Sequence, residues 1–97
     1  MGKAPSTIGG RKVLVVAVVN GDVRATGYTI HRNSSGVIGP ASALAICAAP
    51  EHGGVLLYYC DPTWTDLTDT WHLSVSEAKE QAELEYTGVS RKWSDAV

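Results

Sequence analysis

Apolar positions along this chain gather into three runs and one helical stripe, and their spacing predicts most of its secondary structure. Lys12 to Val19 is β-branched and nearly all apolar, the pattern of a strand buried on both faces. Asn20-Gly21 follows, a pair that tolerates positive φ and signals a tight hairpin. A return strand is therefore predicted over about Val23 to His31, broken by Asn33-Ser34-Ser35-Gly36. Val55 to Cys60 is rich in β-branched and aromatic residues and reads as a further strand. Asp61-Pro62-Thr63-Trp64 has Asp and Pro at the first two positions of a type I turn. Leu67 to Leu73 then alternates, with Leu67, Asp69, Trp71 and Leu73 on one face and Thr68, Thr70 and His72 on the other.

Residues 41–49 admit two readings. Pro40, Pro50 and five alanines suit a short helix. Leu44, Ile46 and the Gly53-Gly54 turn favour a strand paired with Val55 to Cys60, and the strand is the preferred reading.

The clearest helix lies near the C-terminus. Ser74-Val75-Ser76-Glu77 is a capping box, in which a hydroxyl and a carboxylate satisfy free backbone donors. Val75, Ala78, Ala82 and Tyr86 share one stripe at ~100° per residue, and Gly88 sits where a left-handed stop belongs. The alanines imply close approach of helix to sheet. Residues 1–10 lack periodicity and read as a flexible leader. The expected fold is α+β: one domain over residues 11–97, with four to five antiparallel strands in a hairpin or meander and a C-terminal helix packed on one face.

Composition narrows the function classes. Ninety-seven residues fit one domain with one core, and 44% apolar content suits a globular chain. The net charge of −2 is unevenly spread: residues 61–88 hold seven acidic side chains against Lys79 alone. The basic cluster Lys3, Arg11 and Lys12 lies in and beside the leader, and the best helix is acidic, which argues against nucleic-acid binding. The longest apolar run, Val13 to Val19, is far shorter than the ~20 residues that span a bilayer. Asn-Gly-Asp follows it with no small-residue cleavage site, so no signal peptide is read. Two cysteines cannot build a disulfide framework. A cytoplasmic protein without membrane contact is expected.

From Leu44 to Trp93 the chain resembles a family of small bacterial proteins with no known activity. The likeness rests on a Gly-led strand ending in Cys-Asp, here Gly54 to Asp61, and an aromatic residue in the turn, here Trp64. It continues in Thr68-Asp69-Thr70-Trp71-His72, the helix Glu77 to Tyr86, and then Gly88-Val89 and Trp93. Leu84 stands where the family's helix often carries Phe. The resemblance implies a fold and a bacterial source, and brings no activity with it.

Chemistry-bearing residues form no local motif. In a hairpin of residues 55–60 with 67–73, His72 lies opposite residue 54 or 55, roughly 16–20 Å from Cys60 along the strand. Proton transfer needs about 3 Å, so Cys60 and His72 are not a nucleophilic pair. His31, His52, His72 and the cysteines lack the spacing of a metal site, Gly9-Gly10-Arg11-Lys12 precedes a strand instead of following one, and no cofactor is expected. One local rule is broken: Glu83 and Glu85 occupy the helix's last turn, where the macrodipole favours cations. Arg91 and Lys92 would offset them, or the acidic helix faces a basic partner. Leu84 also lies ~180° from Val75, among Glu77, Glu80 and Gln81.

The expected function is a non-enzymatic interaction or structural module, immunity- or adaptor-like, acting as a homodimer or with a protein partner. Its interaction surface would include Leu84, Glu80 and Glu77. The alternative is a small enzyme or small-molecule binder on the face bearing Thr68, Thr70 and His72, with Tyr58 or Tyr59 beside them.

Overall fold

The computed structural model describes residues 2–95. Five strands, β1 (Thr7–Ile8), β2 (Arg11–Val18), β3 (Ala43–Ala49), β4 (Gly54–Cys60) and β5 (Asp66–His72), form a curled antiparallel sheet in which each pairs with the next. One α-helix, α1 (Val75–Glu85), follows β5 and lies across one face. Near the C-terminus Ser94–Asp95 adds a short rung to β2. The expected α+β fold is present, and residues 41–49 supply a strand.

The expected hairpin after Val19 does not form. Asn20-Gly21 does make a turn, with Val23 N donating to Asn20 O at 3.1 Å. The chain then leaves the sheet, and β2 pairs with β3 instead of with residues 23–31. A strand buried on both faces needs a neighbour that is apolar on both faces. Every residue of β3 is apolar and six of its seven are buried, whereas residues 24–30 are exposed. Burial of β3 outweighs the local turn signal, and residues 20–40 become an excursion over the sheet.

Two bulges interrupt the alternation of faces in β2 and β5. Val13 pairs with Cys47 but Val15 with Ile46, so Leu14 is an extra residue in β2. In β5, Thr68 pairs with Tyr59 but Asp66 with Cys60, which makes Leu67 the extra residue. In β3 and β4, whose pairing is unbroken, Leu44, Ile46, Val55, Leu57 and Tyr59 lie on the helix side, against Ala78 and Ala82. The small side chains let α1 approach closely, as its stripe implies. Val13, Val16, Ala43, Ala45, Cys47, Tyr58 and Cys60 face the other way, into a second cluster with Ile8 and Trp64.

That second cluster is covered from within the chain. Residues 2–10, read from the sequence as a leader outside the domain, lie against the sheet: Thr7 and Ile8 pair with Lys12 and Arg11, and Ile8 is buried. Lack of periodicity misleads here because a two-residue strand is too short to show any. Trp64 closes the same cluster, held by its indole N–H on Gly2 O at 3.0 Å and by its amide on Asp61 O in the expected turn. On the helix side Val89 is fully buried and Trp93 packs on the same core. Both faces of the sheet are thus covered from within the chain, one by residues 2–10 and Trp64 and the other by α1, Val89 and Trp93.

Ser74 Oγ accepts from Glu77 N at 3.1 Å and starts α1, the one half of the expected capping box that forms among the described residues. Gly88 takes the left-handed conformation expected of it (φ 95°) after the helix ends.

Candidate functional site

The anomalous acidic residues at the end of α1 turn out to be used by their own chain. Glu83 accepts from the amides of Gly88 and Ser90 at 2.9 and 3.0 Å, and those bonds hold its carboxyl below the usual range. Arg91 and Lys92 do not reach either glutamate with an ion pair; they meet Asp22 at 2.8 and 3.6 Å. Glu85 points inward and is 4% exposed. At ~100° per residue it lies within about 20° of Ala78, on the buried stripe.

Three side chains engage Glu85, two of them on one of its oxygens. Tyr59 Oη donates to Oε2 at 2.5 Å, Gln81 Nε2 donates to the same oxygen at 2.8 Å, and His31 Nε2 pairs with Oε1 at 2.5 Å. His31 also lies on the Tyr59 ring, centroids 4.0 Å apart. The cluster extends to Thr70, 3.5 Å from Tyr59 Oη, and on to His72 Nε2, 2.7 Å from Thr70 Oγ1. Burial, and next the Glu85 bond, push the Tyr59 hydroxyl well above its ordinary pKa, so it remains a proton donor. Burial lowers His72, against the smaller opposing pull of Glu77 and Glu85.

The excursion is held down at several points. Thr26 N donates to Glu85 O at 2.9 Å and Thr26 Oγ1 to Leu84 O at 2.7 Å, which satisfies carbonyls that a helix end leaves open. Arg24–Ala25 pairs with Tyr86–Thr87, and Ala41 N donates to Tyr86 Oη at 2.9 Å. Asn33 Nδ2 reaches Leu67 O at 3.3 Å across the free edge of β5. Between the excursion's two limbs lies a pocket of about 230 Å³, lined by Tyr28, Ile30, Val37 and Pro40, with His31 and Glu85 in its wall. Tyr28, Ile30 and Val37 are 67%, 68% and 60% exposed, the rim of an open apolar site.

The expected site residues divide into two groups. Thr70 and His72 join the buried cluster, and Thr68 is half-buried on the same face, opposite Tyr59. Leu84, Glu80 and Glu77 stay exposed on the outer surface of α1. Tyr58 turns to the opposite face of the sheet. His31 and Glu85, the centre of the cluster, were not among the expected site residues. The signal for Glu85 was its position, seven residues after Ala78 and hence on the alanine stripe.

Neither thiol takes part. Cys47 and Cys60 are free and buried in the cluster away from α1, and burial pushes both up to about 12. His72 pairs with Val55 in the sheet and Cys60 with Asp66, the separation expected from the sequence. Among the described residues no three of His, Cys, Asp or Glu gather as a metal site, and no helix is long and apolar enough to cross a membrane.

Fold and site together define an α+β meander with a polar cluster buried beside an apolar pocket. Comparison of the chain with protein-family models, curated proteins and solved structures finds no match.

Proposed function

We propose that this protein is a non-enzymatic binding module whose recognition site is the pocket under residues 26–40. One observation carries the reading: three large apolar side chains, Tyr28, Ile30 and Val37, stand exposed around a concavity whose one carboxylate, Glu85, is already hydrogen-bonded by the chain. A catalytic site leaves its acid, base or nucleophile unspent for the substrate. Here the Glu85 oxygens serve Tyr59, Gln81 and His31, and the thiols lie on the far side of the sheet. The cluster acts as a rigid floor that holds the pocket's shape. At about 230 Å³ the pocket is smaller than the ~300–1,000 Å³ of sites for drug-sized ligands, which suits a single apolar group.

Titration of the isotope-labelled protein with 3-phenylpropanol, followed by amide NMR shifts, tests this. Shifts should concentrate in residues 25–31, 37–41 and 85–86, and should vanish in a folded Ile30→Ser/Val37→Ser variant. Shifts scattered elsewhere, or none at all, would overturn the reading.

A further inference from the structure

β5 is the last strand of the sheet: it pairs with β4 on one side and with no strand on the other. Among the described residues no turn or loop backbone bonds to residues 66–72, and one side chain does, Asn33 at Leu67 O. The side of residues 68–72 turned away from β4 is an open edge, the usual template for strand addition. Beside it, on the face away from α1, lies a cleft of about 430 Å³ lined by His52, Leu56, Asp69 and Trp71. Trp71 is exposed, and its indole N–H is spent on His52 O at 3.1 Å, which pins the ring and leaves its face as the recognition element. Asp66 and Asp69 are exposed, and neither makes an ion pair among the described residues. Arg11, the cation beside Tyr58 on this face, is paired with Glu51 at 2.6 Å.

An indole face and an unpaired carboxylate both attract a cation. At exposed positions each is worth only a few-fold in affinity, so a free cation would be held weakly and a ligand gains by using the edge as well. A second copy of β5 is disfavoured there, because it would bring Asp66 and Asp69 toward their own counterparts. We infer that β5 takes up an extended polypeptide segment along its free edge, with a basic side chain of that segment in the cleft between Trp71 and Asp69. A lysine stem is long enough to cross the ~4.8 Å between neighbouring strands. The cleft shares no lining residue with the pocket under residues 26–40, and neither site requires the other.

Amide NMR titration of the labelled protein with acetyl-Thr-Val-Lys-Val-Thr-amide, at neutral pH and low ionic strength, tests this. Shifts should concentrate in residues 52–57 and 67–73 and in the Trp71 indole N–H. Norleucine in place of the lysine should weaken binding about fivefold, and glutamate further. In Asp69→Asn, a change at an exposed position, the preference for lysine over norleucine should fall to about twofold, with the norleucine peptide bound as before. The fully N-methylated peptide should not bind, since it cannot donate to the edge. Acetyl-lysine methylamide binding as tightly as the pentapeptide would reduce the site to a cation cleft without strand addition and overturn the proposal. Equal binding of the lysine, norleucine and glutamate peptides, or shifts confined to other residues or absent, would overturn it too. Shifts of residues 67–73 that follow protein concentration without peptide would give the edge to a second copy instead.

Discussion

Tyr59 and Glu85 are the last residue but one of β4 and the last residue of α1, and the tyrosine hydroxyl donates to the carboxylate at 2.5 Å inside the core. The bond places an acidic residue where helix electrostatics disfavour it, and compensates by giving the charge three partners. The same carboxylate receives His31 from the excursion, so one side chain ties helix, sheet and excursion together.

Removing that carboxylate should be costly. Glu85→Ala leaves the Tyr59 hydroxyl and the Gln81 amide without their acceptor and is expected to lose about 1–3 kcal/mol of stability for each group so orphaned. Glu85→Gln retains the shape and one acceptor oxygen, and should lose about 1–3 kcal/mol. Denaturant unfolding measures both. An alanine variant with an unchanged midpoint would mean that Glu85 is solvated and the cluster does not hold in solution.

His72 should make stability depend on pH. Burial lowers its folded-state pKa, so the unfolded chain takes up the proton first as pH falls. Its contribution is complete above the unfolded value of ~6.5 and declines as pH drops through that value toward the lower folded one. Unfolding midpoints for wild type and His72→Gln at about pH 7.5 and about pH 5.5 isolate it. The wild type should lose more stability on acidification than the variant; an equal loss in both would remove His72 as the source.

The thiols should be inert in the folded protein. With both pKa values near 12, Cys47 and Cys60 are protonated at neutral pH and shielded by the cluster around them. Intact mass after alkylation should show no adduct under native conditions and two after denaturation. Rapid native labelling of either would contradict the packing of that face.

Two substitutions report on backbone geometry. A Cβ at Gly54 would stand 2.2 Å from the His72 carbonyl oxygen, so Gly54→Ala must push β4 and β5 apart and should cost about 3 kcal/mol. Ser74→Ala removes the acceptor of the Glu77 amide and should cost ~1 kcal/mol. An alanine at residue 54 tolerated without loss would mean that the β4–β5 register differs.

The chain is expected to run as a monomer near 10.3 kDa in light scattering coupled to size exclusion, because both sheet faces are covered from within. A mass twice that would restore the dimer and direct attention to the exposed Trp71, Leu73 and Leu84.

The sequence by itself determined what short-range physics controls. Helix α1 was legible because a capping residue, an alanine stripe and a left-handed glycine all act within a few residues of one another. The β3–β4 and β4–β5 hairpins were legible for the same reason: their turns are short and their strands carry clear β patterns, so the place of His72 opposite Val55 followed from counting. Tertiary structure decided what depends on competition between distant segments. Asn20-Gly21 signals a hairpin equally well whether or not its return strand is apolar enough to be buried, and only the presence of β3, more than twenty residues further on, diverted β2 to another partner. Ile8 and Trp64 became cover for a sheet face only when that face closed against them. The Glu85 cluster draws on residues 31, 59, 70 and 81, and the pocket on an excursion with no regular pattern. Local periodicity records which side of an element is buried, but it carries no information about which distant side chains meet there.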